Sequence, residues 1–143
     1  MTLEDEAATE RLGTELAALL RPGDVVTLSG PLGVGKTALA RAILRSLGHK
    51  GDVPSPSFAI VQPYDELDPA IWHVDLFRIE EAGEIEELGL DSAAGSALIV
   101  EWPERAGEGA WPEALRLTLD FAQGAARRLT VVVPPAWQER WPQ

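Results

Sequence analysis

The sequence predicts a single α/β domain in which helices flank a mixed, mostly parallel sheet that ends in a C-terminal antiparallel hairpin. Helix-like and strand-like segments alternate along the chain without an intervening linker. A glycine-rich stretch, GPLGVGKT, joins an apolar run to a helical pattern. Near the C-terminus, apolar and polar residues alternate on either side of a turn signal. A length of 143 residues suits one domain, 1–143, but is too short for two.

The first predicted element is a helix from Leu3 to Leu20, whose apolar residues recur at helical spacing. Thr2 and Asp5 are expected to start it in the manner of a capping box. The residues RPGD at 21–24 end it.

A buried strand and a second helix follow. Val25 to Leu28 is a short, β-branched run typical of a buried strand. Lys36 to Leu47 has helical periodicity, and Gly48 closes it. The glycine-rich stretch therefore lies between a predicted strand and a predicted helix.

The middle of the chain is punctuated by prolines at 52–57, which predict a loop because each residue before a proline is driven out of the α region. Strands are predicted at Phe58 to Val61 and at Ile71 to Phe77. The acidic run from Glu80 to Gly89 is interpreted as an exposed helix. Residues 97–102, ALIVEW, predict a buried strand with a carboxylate at its end.

The last third of the chain predicts a hairpin. Apolar and polar residues alternate from Leu115 to Phe121, Gln123 and Gly124 begin a turn, and an apolar run covers Leu129 to Val133. The domain core is expected to span about residues 3–133. Residues 134–143 form a packed or loose tail with no function assigned.

Composition excludes several classes of function. The 12 basic and 23 acidic residues give a formal net charge of -11, which opposes direct binding of nucleic acid. The chain has no cysteine, so disulfides and thiolate metal sites are excluded. The acidic N-terminus does not resemble a signal peptide, and no window approaches the roughly 18 apolar residues of a membrane span. A cytoplasmic protein without a membrane partner is expected.

The stretch GPLGVGKT matches the pattern GxxxxGK[ST]. Its glycines permit close approach of backbone N–H groups to phosphate oxygens, and the following helix adds the positive end of its dipole. A lysine adds a point charge for the β- and γ-phosphates, and a threonine offers a hydroxyl to Mg²⁺. The stretch therefore predicts a P-loop NTPase-like domain that binds a nucleotide through Gly30, Leu32, Gly33, Val34, Gly35, Lys36, Thr37 and Ala38.

Two carboxylates at predicted strand ends are the candidates for catalysis. Triphosphate chemistry needs a carboxylate that holds Mg²⁺ and a group that orients water or an acceptor hydroxyl. Glu101 follows ALIV, where such a residue would meet the metal beside Thr37. Asp75 lies in an apolar strand, where an unpaired carboxylate would be costly. The alternative for each carboxylate is a salt bridge, for instance to Arg78, or a helix N-cap.

Three further side chains are candidates for support of the site. His73 alternates with Asp75 and therefore shares its sheet face, where we expect a supporting role. Trp102 either covers the nucleotide or packs in the core, and the core is the commoner place for a tryptophan. Arg127, near the hairpin turn, is either a solvated turn residue or reaches the nucleotide.

In this order, the strings GPLGVGKT, VPSPSF, WHVDLFRI, EELGLD and VEWPE resemble the TsaE (YjeE) family of bacterial ATPases required for threonylcarbamoyladenosine modification of tRNA. The resemblance covers about residues 9–133. It implies a small mixed α/β P-loop domain that hydrolyses ATP weakly with Mg²⁺. It also implies TsaB and TsaD as partner proteins, so that tRNA is reached only indirectly.

The resemblance also assigns roles to residues. It implies that Lys36 and Thr37 bind phosphate and magnesium, that Glu101 is the metal-linked glutamate, and that Asp75 is an essential aspartate. By the same resemblance, Thr9 is a threonine near the nucleotide and Trp102 is the tryptophan that follows the glutamate. Ser55 and Ser57 belong to a switch-like loop. The chain departs from the family at three positions: Ser57 replaces a usual threonine, and Trp72 and Phe77 replace common tyrosines.

Three functions remain open on the sequence alone. The first is an ATPase that resets a partner complex. The second is a small-molecule kinase, although an arginine-rich lid segment is missing from the sequence. The third is an adaptor in which ATP orders the 52–57 loop for a partner. The acidic run from Glu80 to Glu87 is a plausible docking surface for a basic partner.

Overall fold

We describe a computed structural model of the protein, comprising residues 1–53, 61–81, 83–90, 95–107 and 109–141. In chain order its helices and strands are β1 (Thr2–Leu3), α1 (Glu6–Leu19), β2 (Val25–Ser29), α2 (Lys36–Ser46), β3 (Val61–Tyr64), β4 (Ile71–Asp75), α3 (Gly83–Glu86), β5 (Ala97–Glu101), β6 (Leu115–Phe121) and β7 (Arg127–Val132). Within these ranges, no helix has the length and apolar character that a bilayer crossing requires.

The strands described form one mixed sheet in the order β1-β7-β6-β2-β5-β4-β3. Its centre is parallel, because β2 pairs in parallel with both β5 and β6, and β5 pairs in parallel with β4. Its margins are antiparallel, through the pairs β3 with β4, β6 with β7, and β1 with β7. The predicted α/β class and the predicted C-terminal hairpin are confirmed.

Two apolar clusters lie on opposite faces of this sheet. The larger cluster joins α1 and α2 to one face, and Leu16, Leu39 and Ile99 are fully buried within it. The smaller cluster lies on the other face and includes Val74 and Val100. Alternation along β4 and β5 produces this division, since successive side chains of a strand point to opposite faces.

The first helix begins later than predicted. Asp5 is its N-cap and accepts a hydrogen bond from the backbone N–H of Ala8 through Oδ1, at 2.9 Å. Thr2 and Leu3 are extended and pair with β7. The predicted start at Leu3 with Thr2 in a capping box was therefore wrong, because pairing with the sheet holds these two residues outside the helix.

Other boundaries also moved. The predicted helix from Glu80 to Gly89 reduces to α3, because the side chain of Glu84 accepts from the backbone N–H groups of Glu80 and Glu81 and holds them in a turn. Strand β4 ends at Asp75, whose carboxylate accepts from the N–H of Phe77 and turns the chain. Most of the predicted Phe58 to Val61 strand lies outside the described residues, as does most of the 52–57 loop.

The C-terminal segment is packed against the domain. Trp137 is buried in the larger cluster. Arg140 stacks on Trp137 and forms a bidentate ion pair with Asp24, with Nη1 2.6 Å from Oδ2 and Nη2 3.0 Å from Oδ1. The same guanidinium donates to the carbonyl of Leu19. The segment that contains Trp137 and Arg140 is thereby fixed to the loop between α1 and β2.

Candidate functional site

The glycine-rich stretch forms the turn from β2 into α2, as the sequence predicts. Gly35 is the N-cap of α2, with a φ of 117° that favours glycine. A Cβ on Gly30 would lie 2.3 Å from the carbonyl oxygen of Leu119, so a side chain does not fit there. The loop backbone at Gly30 therefore packs directly against β6.

Lys36 is buried and directed back onto this loop. Its Nζ donates to the carbonyls of Gly30 and Pro31 and lies 3.7 Å from the ring centroid of Trp102. Burial lowers the pKa of Lys36, while nearby carboxylates, with Glu101 the strongest, oppose this effect. The side chain is a partly desolvated cation held by neutral carbonyl groups.

Two carboxylates lie side by side at the ends of β4 and β5. Asp75 is the partner of Glu101 in the parallel register, and both side chains are buried. The hydroxyl of Thr37 donates to Oε1 and Oε2 of Glu101, at 2.9 and 3.0 Å. The structure thus brings the predicted metal pair, Thr37 and Glu101, into direct contact.

The surroundings of Asp75 shift the pKa of its carboxyl group. Burial raises its pKa, and the negative charge of Glu101 adds to that rise. The backbone N–H of Phe77, which donates to Oδ1 at 2.9 Å, and the neighbouring side chains of His73 and Lys36 act in the opposite direction. A carboxyl group with a raised pKa beside a second carboxylate is a common feature of functional sites.

His73 lies behind this pair, as its alternation with Asp75 predicts. The ring is completely buried, and Nε2 lies 2.6 Å from Oε2 of Glu101. Among the residues that the structure describes, Nδ1 has no hydrogen-bond partner.

Trp102 contacts both the core and the cleft. It packs against the smaller apolar cluster and also lines the cleft above Lys36, with its ring 4.9 Å from that of Phe77. Its φ of 59° lies in the left-handed region, which is unusual for a bulky residue and typical of strained backbone at functional sites.

Two clefts meet at the loop. The first, here called the phosphate cleft, has a volume of about 340 Å³ and is lined by Leu32, Gly33, Gly35, Lys36, Thr37, Ala38, Asp75, Phe77, Arg78, Glu101 and Trp102. The second, here called the outer cleft, has a volume of about 690 Å³ and is lined by Asp5, Glu6, Thr9, Glu10, Thr14, Gly33, Val34, Gly35, Ala38, Arg41, Ala42, Arg45, Ser46, Ala125 and Arg127. Gly33, Gly35 and Ala38 line both clefts, so the clefts adjoin at the loop.

Thr9 and Arg127 lie in the outer cleft instead of the phosphate cleft. The Nε of Arg127 donates to the carbonyl of Val34 at 2.9 Å, and Nη1 donates to the carbonyls of Gly124 and Ala126. Arg127 is therefore an anchor that ties the hairpin turn to the glycine-rich loop, and it is not a freely solvated turn residue.

Sequence reasoning missed several lining residues. Arg41 and Arg45 lie in the outer cleft, four and eight residues after Thr37 on α2, and this helical spacing is the signal that would have identified them. Arg41 also donates to the carbonyl of Val53. Ser55 and Ser57, the predicted switch residues, lie outside the described residues.

The site holds few protein ligands for a metal. In the part of the chain that the structure describes, no group of three or more His, Asp or Glu side chains is arranged to hold a metal ion. The oxygen donors that line the phosphate cleft include the Thr37 hydroxyl and the carboxylates of Glu101 and Asp75.

A phosphate loop between a central parallel strand and a helix, with carboxylates at the ends of neighbouring strands, defines a P-loop NTPase-like domain. A family model described as threonylcarbamoyl adenosine biosynthesis protein TsaE matches residues 3–129. The chain belongs to the TsaE family, which acts in tRNA threonylcarbamoyladenosine biosynthesis, and the resemblance that the sequence motifs indicated is confirmed.

Individual relatives agree with this assignment. A tRNA threonylcarbamoyladenosine biosynthesis protein TsaE from Streptomyces coelicolor is 42% identical over 135 residues, covering 91% of each chain. The protein of the same name from Haemophilus influenzae is 34% identical over 131 residues, covering 86% of this chain and 82% of its own. The crystal structure of Bacillus subtilis YdiB superposes with a TM-score of 0.82 at 26% identity, covering 98% of this chain and 88% of YdiB.

Proposed function

We propose that this protein binds ATP with Mg²⁺ in the phosphate cleft, hydrolyses it slowly, and thereby supports threonylcarbamoyl modification of adenosine 37 in tRNA by acting on a TsaB–TsaD partner pair. Family membership supports the pathway. The hydrogen bond between Thr37 and Glu101 is the observation that supports the chemistry, because it joins the phosphate loop to the end of a neighbouring strand.

Nucleotide binding follows from the loop. The backbone N–H groups at the start of α2 and the ammonium of Lys36 are suited to the phosphates. Lys36 bonds to neutral carbonyls of Gly30 and Pro31, and phosphate oxygens are stronger acceptors that would replace them. Since the outer cleft continues from the loop, we place the base and ribose there, beside Thr9 and Arg127.

The residues present fit Mg²⁺. This ion prefers oxygen ligands and is usually bound through one or two carboxylates together with substrate phosphates. Thr37 and Glu101 are oxygen donors in mutual contact and would hold it. When bound, Mg²⁺ neutralises charge on the transferred phosphate.

Hydrolysis needs a group that orients water, and Asp75 is our candidate. In the proposed step a water oxygen bonds to the γ-phosphorus, the bond from that phosphorus to the bridging oxygen breaks, and ADP leaves. The carboxylate of Asp75 accepts the proton of the water. Its raised pKa suits that task, because a general base works best when its pKa approaches the working pH.

Single-turnover measurements test these roles. Asp75→Ala and Glu101→Ala are expected to lose phosphate release by at least about 100-fold while ATP still binds, and Lys36→Ala is expected to lose binding itself. Full hydrolysis by Asp75→Ala would contradict the assignment of Asp75. Transfer of phosphate to a metabolite instead of water would make the protein a kinase.

The partner surface is proposed from charge. A chain with a net charge of -11 repels tRNA, so contact with tRNA through partners is favoured. Glu86, the last residue of α3, and Glu87, which follows it, are exposed and accessible to a basic partner surface. Glu84 is different, since it accepts from the backbone of Glu80 and Glu81 and serves the local fold.

A further inference from the structure

We infer that His73 is a positioning residue for Glu101, whose imidazole holds the carboxylate in the orientation that the metal and Thr37 require. The inference deepens the proposed ATPase function and rests on it. It concerns a side chain that does not line the phosphate cleft and touches neither nucleotide nor water in the proposed reaction.

The contact arises from the register of two strands. His73 pairs with Ile99, and Asp75 pairs with Glu101, in the parallel ladder of β4 and β5. Residues two apart share a sheet face, so His73 lies diagonally behind Glu101. Nε2 reaches Oε2 at 2.6 Å, in surroundings where the His73 side chain is fully buried and that of Glu101 is 3% exposed.

The hydrogen bond has a defined direction. The ionised carboxylate only accepts, so the proton between the two groups belongs to Nε2. Nδ1 has no partner within the described ranges of the chain. The only hydrogen bond of the ring in this part of the chain is thus directed at Glu101.

A second donor matters because Thr37 has two tasks. In the structure its hydroxyl donates to both oxygens of Glu101. In the proposed magnesium complex that hydroxyl serves the metal, and the carboxylate loses this donor. His73 then remains to fix Oε2. Partners that orient a ligating carboxylate in this way typically contribute 10- to 100-fold, roughly, to metal affinity or activity.

The alternative is that His73 only fills the core. In that case an apolar side chain of similar size would serve as well, and metal affinity would not respond to the loss of the N–H donor. A glutamine at position 73 carries its N–H donor the same number of bonds from Cα as Nε2 of histidine, whereas a leucine carries none. This pair of variants separates the two explanations.

The experiment compares His73→Leu and His73→Gln with the unchanged protein. Mn²⁺ binding to the ATP complex is followed by electron paramagnetic resonance, and ATP affinity is measured without metal. His73→Leu should weaken Mn²⁺ binding by roughly 10-fold and lower kcat by about 10- to 100-fold, with ATP affinity changed less than about 2-fold. His73→Gln should recover most of both losses.

Equal Mn²⁺ affinity in the leucine and glutamine variants would overturn the inference. If His73→Leu does not fold, His73→Asn replaces it, because its shorter amide leaves the donor out of reach. A double variant, His73→Asn with Glu101→Ala, should bind Mn²⁺ no more weakly than Glu101→Ala alone. If the unchanged protein hydrolyses no ATP, the proposed function fails, while the Mn²⁺ affinities still decide the role of His73.

Discussion

The hydroxyl of Thr37 in α2 lies 2.9 Å from Oε1 and 3.0 Å from Oε2 of Glu101 at the end of β5. This contact joins the phosphate loop to a strand that is distant in sequence but adjacent to β2 in the sheet. Two oxygen donors of the kind that Mg²⁺ prefers thereby meet at the start of α2.

The first prediction tests that pair at Thr37. Thr37→Ser keeps the hydroxyl and should retain kcat/KM within about 3-fold, whereas Thr37→Val removes it at nearly constant size and should lose about 100-fold. The measurement is ATP turnover over a range of Mg²⁺ concentrations. Equal activity of the serine and valine variants would show that the hydroxyl does not serve the metal.

The second prediction concerns the buried cation. Lys36→Met should lose ATP affinity by at least about 100-fold but change the free energy of unfolding by less than about 1 kcal/mol. The small change is expected because the cost of burying the ammonium offsets the stability that its hydrogen bonds contribute. Lys50→Met, at an exposed lysine, is the control and should change neither quantity. ATP titration and urea unfolding provide the two values. A large loss of stability in Lys36→Met would contradict this account.

The third prediction follows from the raised pKa of Asp75. The folded chain retains the proton of this carboxyl to higher pH than the unfolded chain does, so the protein loses stability as pH rises from the ordinary value of 3.8 through the raised pKa. Asp75→Asn abolishes this loss. The variant should therefore unfold at a higher temperature than the unchanged protein at neutral pH, and the difference should shrink in acid.

Thermal unfolding at several pH values measures this difference. Asp65→Asn, at an exposed aspartate, is the matched control and should show no comparable gain at neutral pH. A neutral-pH gain in Asp75→Asn that persists unchanged in acid would mean that the raised pKa is not its cause.

The fourth prediction concerns the C-terminal segment. Trp137 is buried in the larger apolar cluster and stacked by Arg140, so Trp137→Ala should lower the free energy of unfolding by about 3 to 5 kcal/mol. Phe121→Ala, at a half-exposed ring, should cost less than about 1 kcal/mol. Urea denaturation compares them. Similar costs for both variants would show that residues 134–141 do not contribute to the core.

The fifth prediction tests the proposed partner surface. Reversal of Glu86 and Glu87 to lysine should weaken binding to a TsaB–TsaD pair by about 10-fold or more at low salt, with ATP affinity unchanged. Glu84 is left in place because its side chain holds the local backbone. Reversal of the exposed Glu113 and Glu139 makes the same change of net charge elsewhere. Equal weakening in both double variants would place the effect in overall charge and not in this surface.

The phosphate loop, the central strands and the hairpin were predictable because each has a strong local pattern. The two-residue strand β1 was not, since Thr2 and Leu3 carry no periodicity and pair with Arg127 and Arg128 at the other end of the chain. The helix from Glu80 to Gly89 was predicted too long, because acidic composition indicates exposure and does not distinguish a helix from a capped turn.

The candidate site likewise contains residues that the sequence predicts and contacts that it does not. Loop residues followed from their motif, Glu101 followed from its place at the end of a predicted strand, and Asp75 followed from the cost of a carboxylate within an apolar strand. The bond from His73 to Glu101 depends on the register between β4 and β5, and the anchor from Arg127 to Val34 depends on how the hairpin lies on the loop. Both are tertiary relationships that no local pattern specifies.

The most direct test of the proposed function is ATP hydrolysis by the purified protein, alone and with TsaB and TsaD, beside the Lys36→Ala and Glu101→Ala variants. We predict slow hydrolysis by the protein alone, a faster rate with the partners, and loss of both rates in the two variants. Tight ATP binding without hydrolysis under any of these conditions would contradict the ATPase assignment and would leave a nucleotide-dependent adaptor.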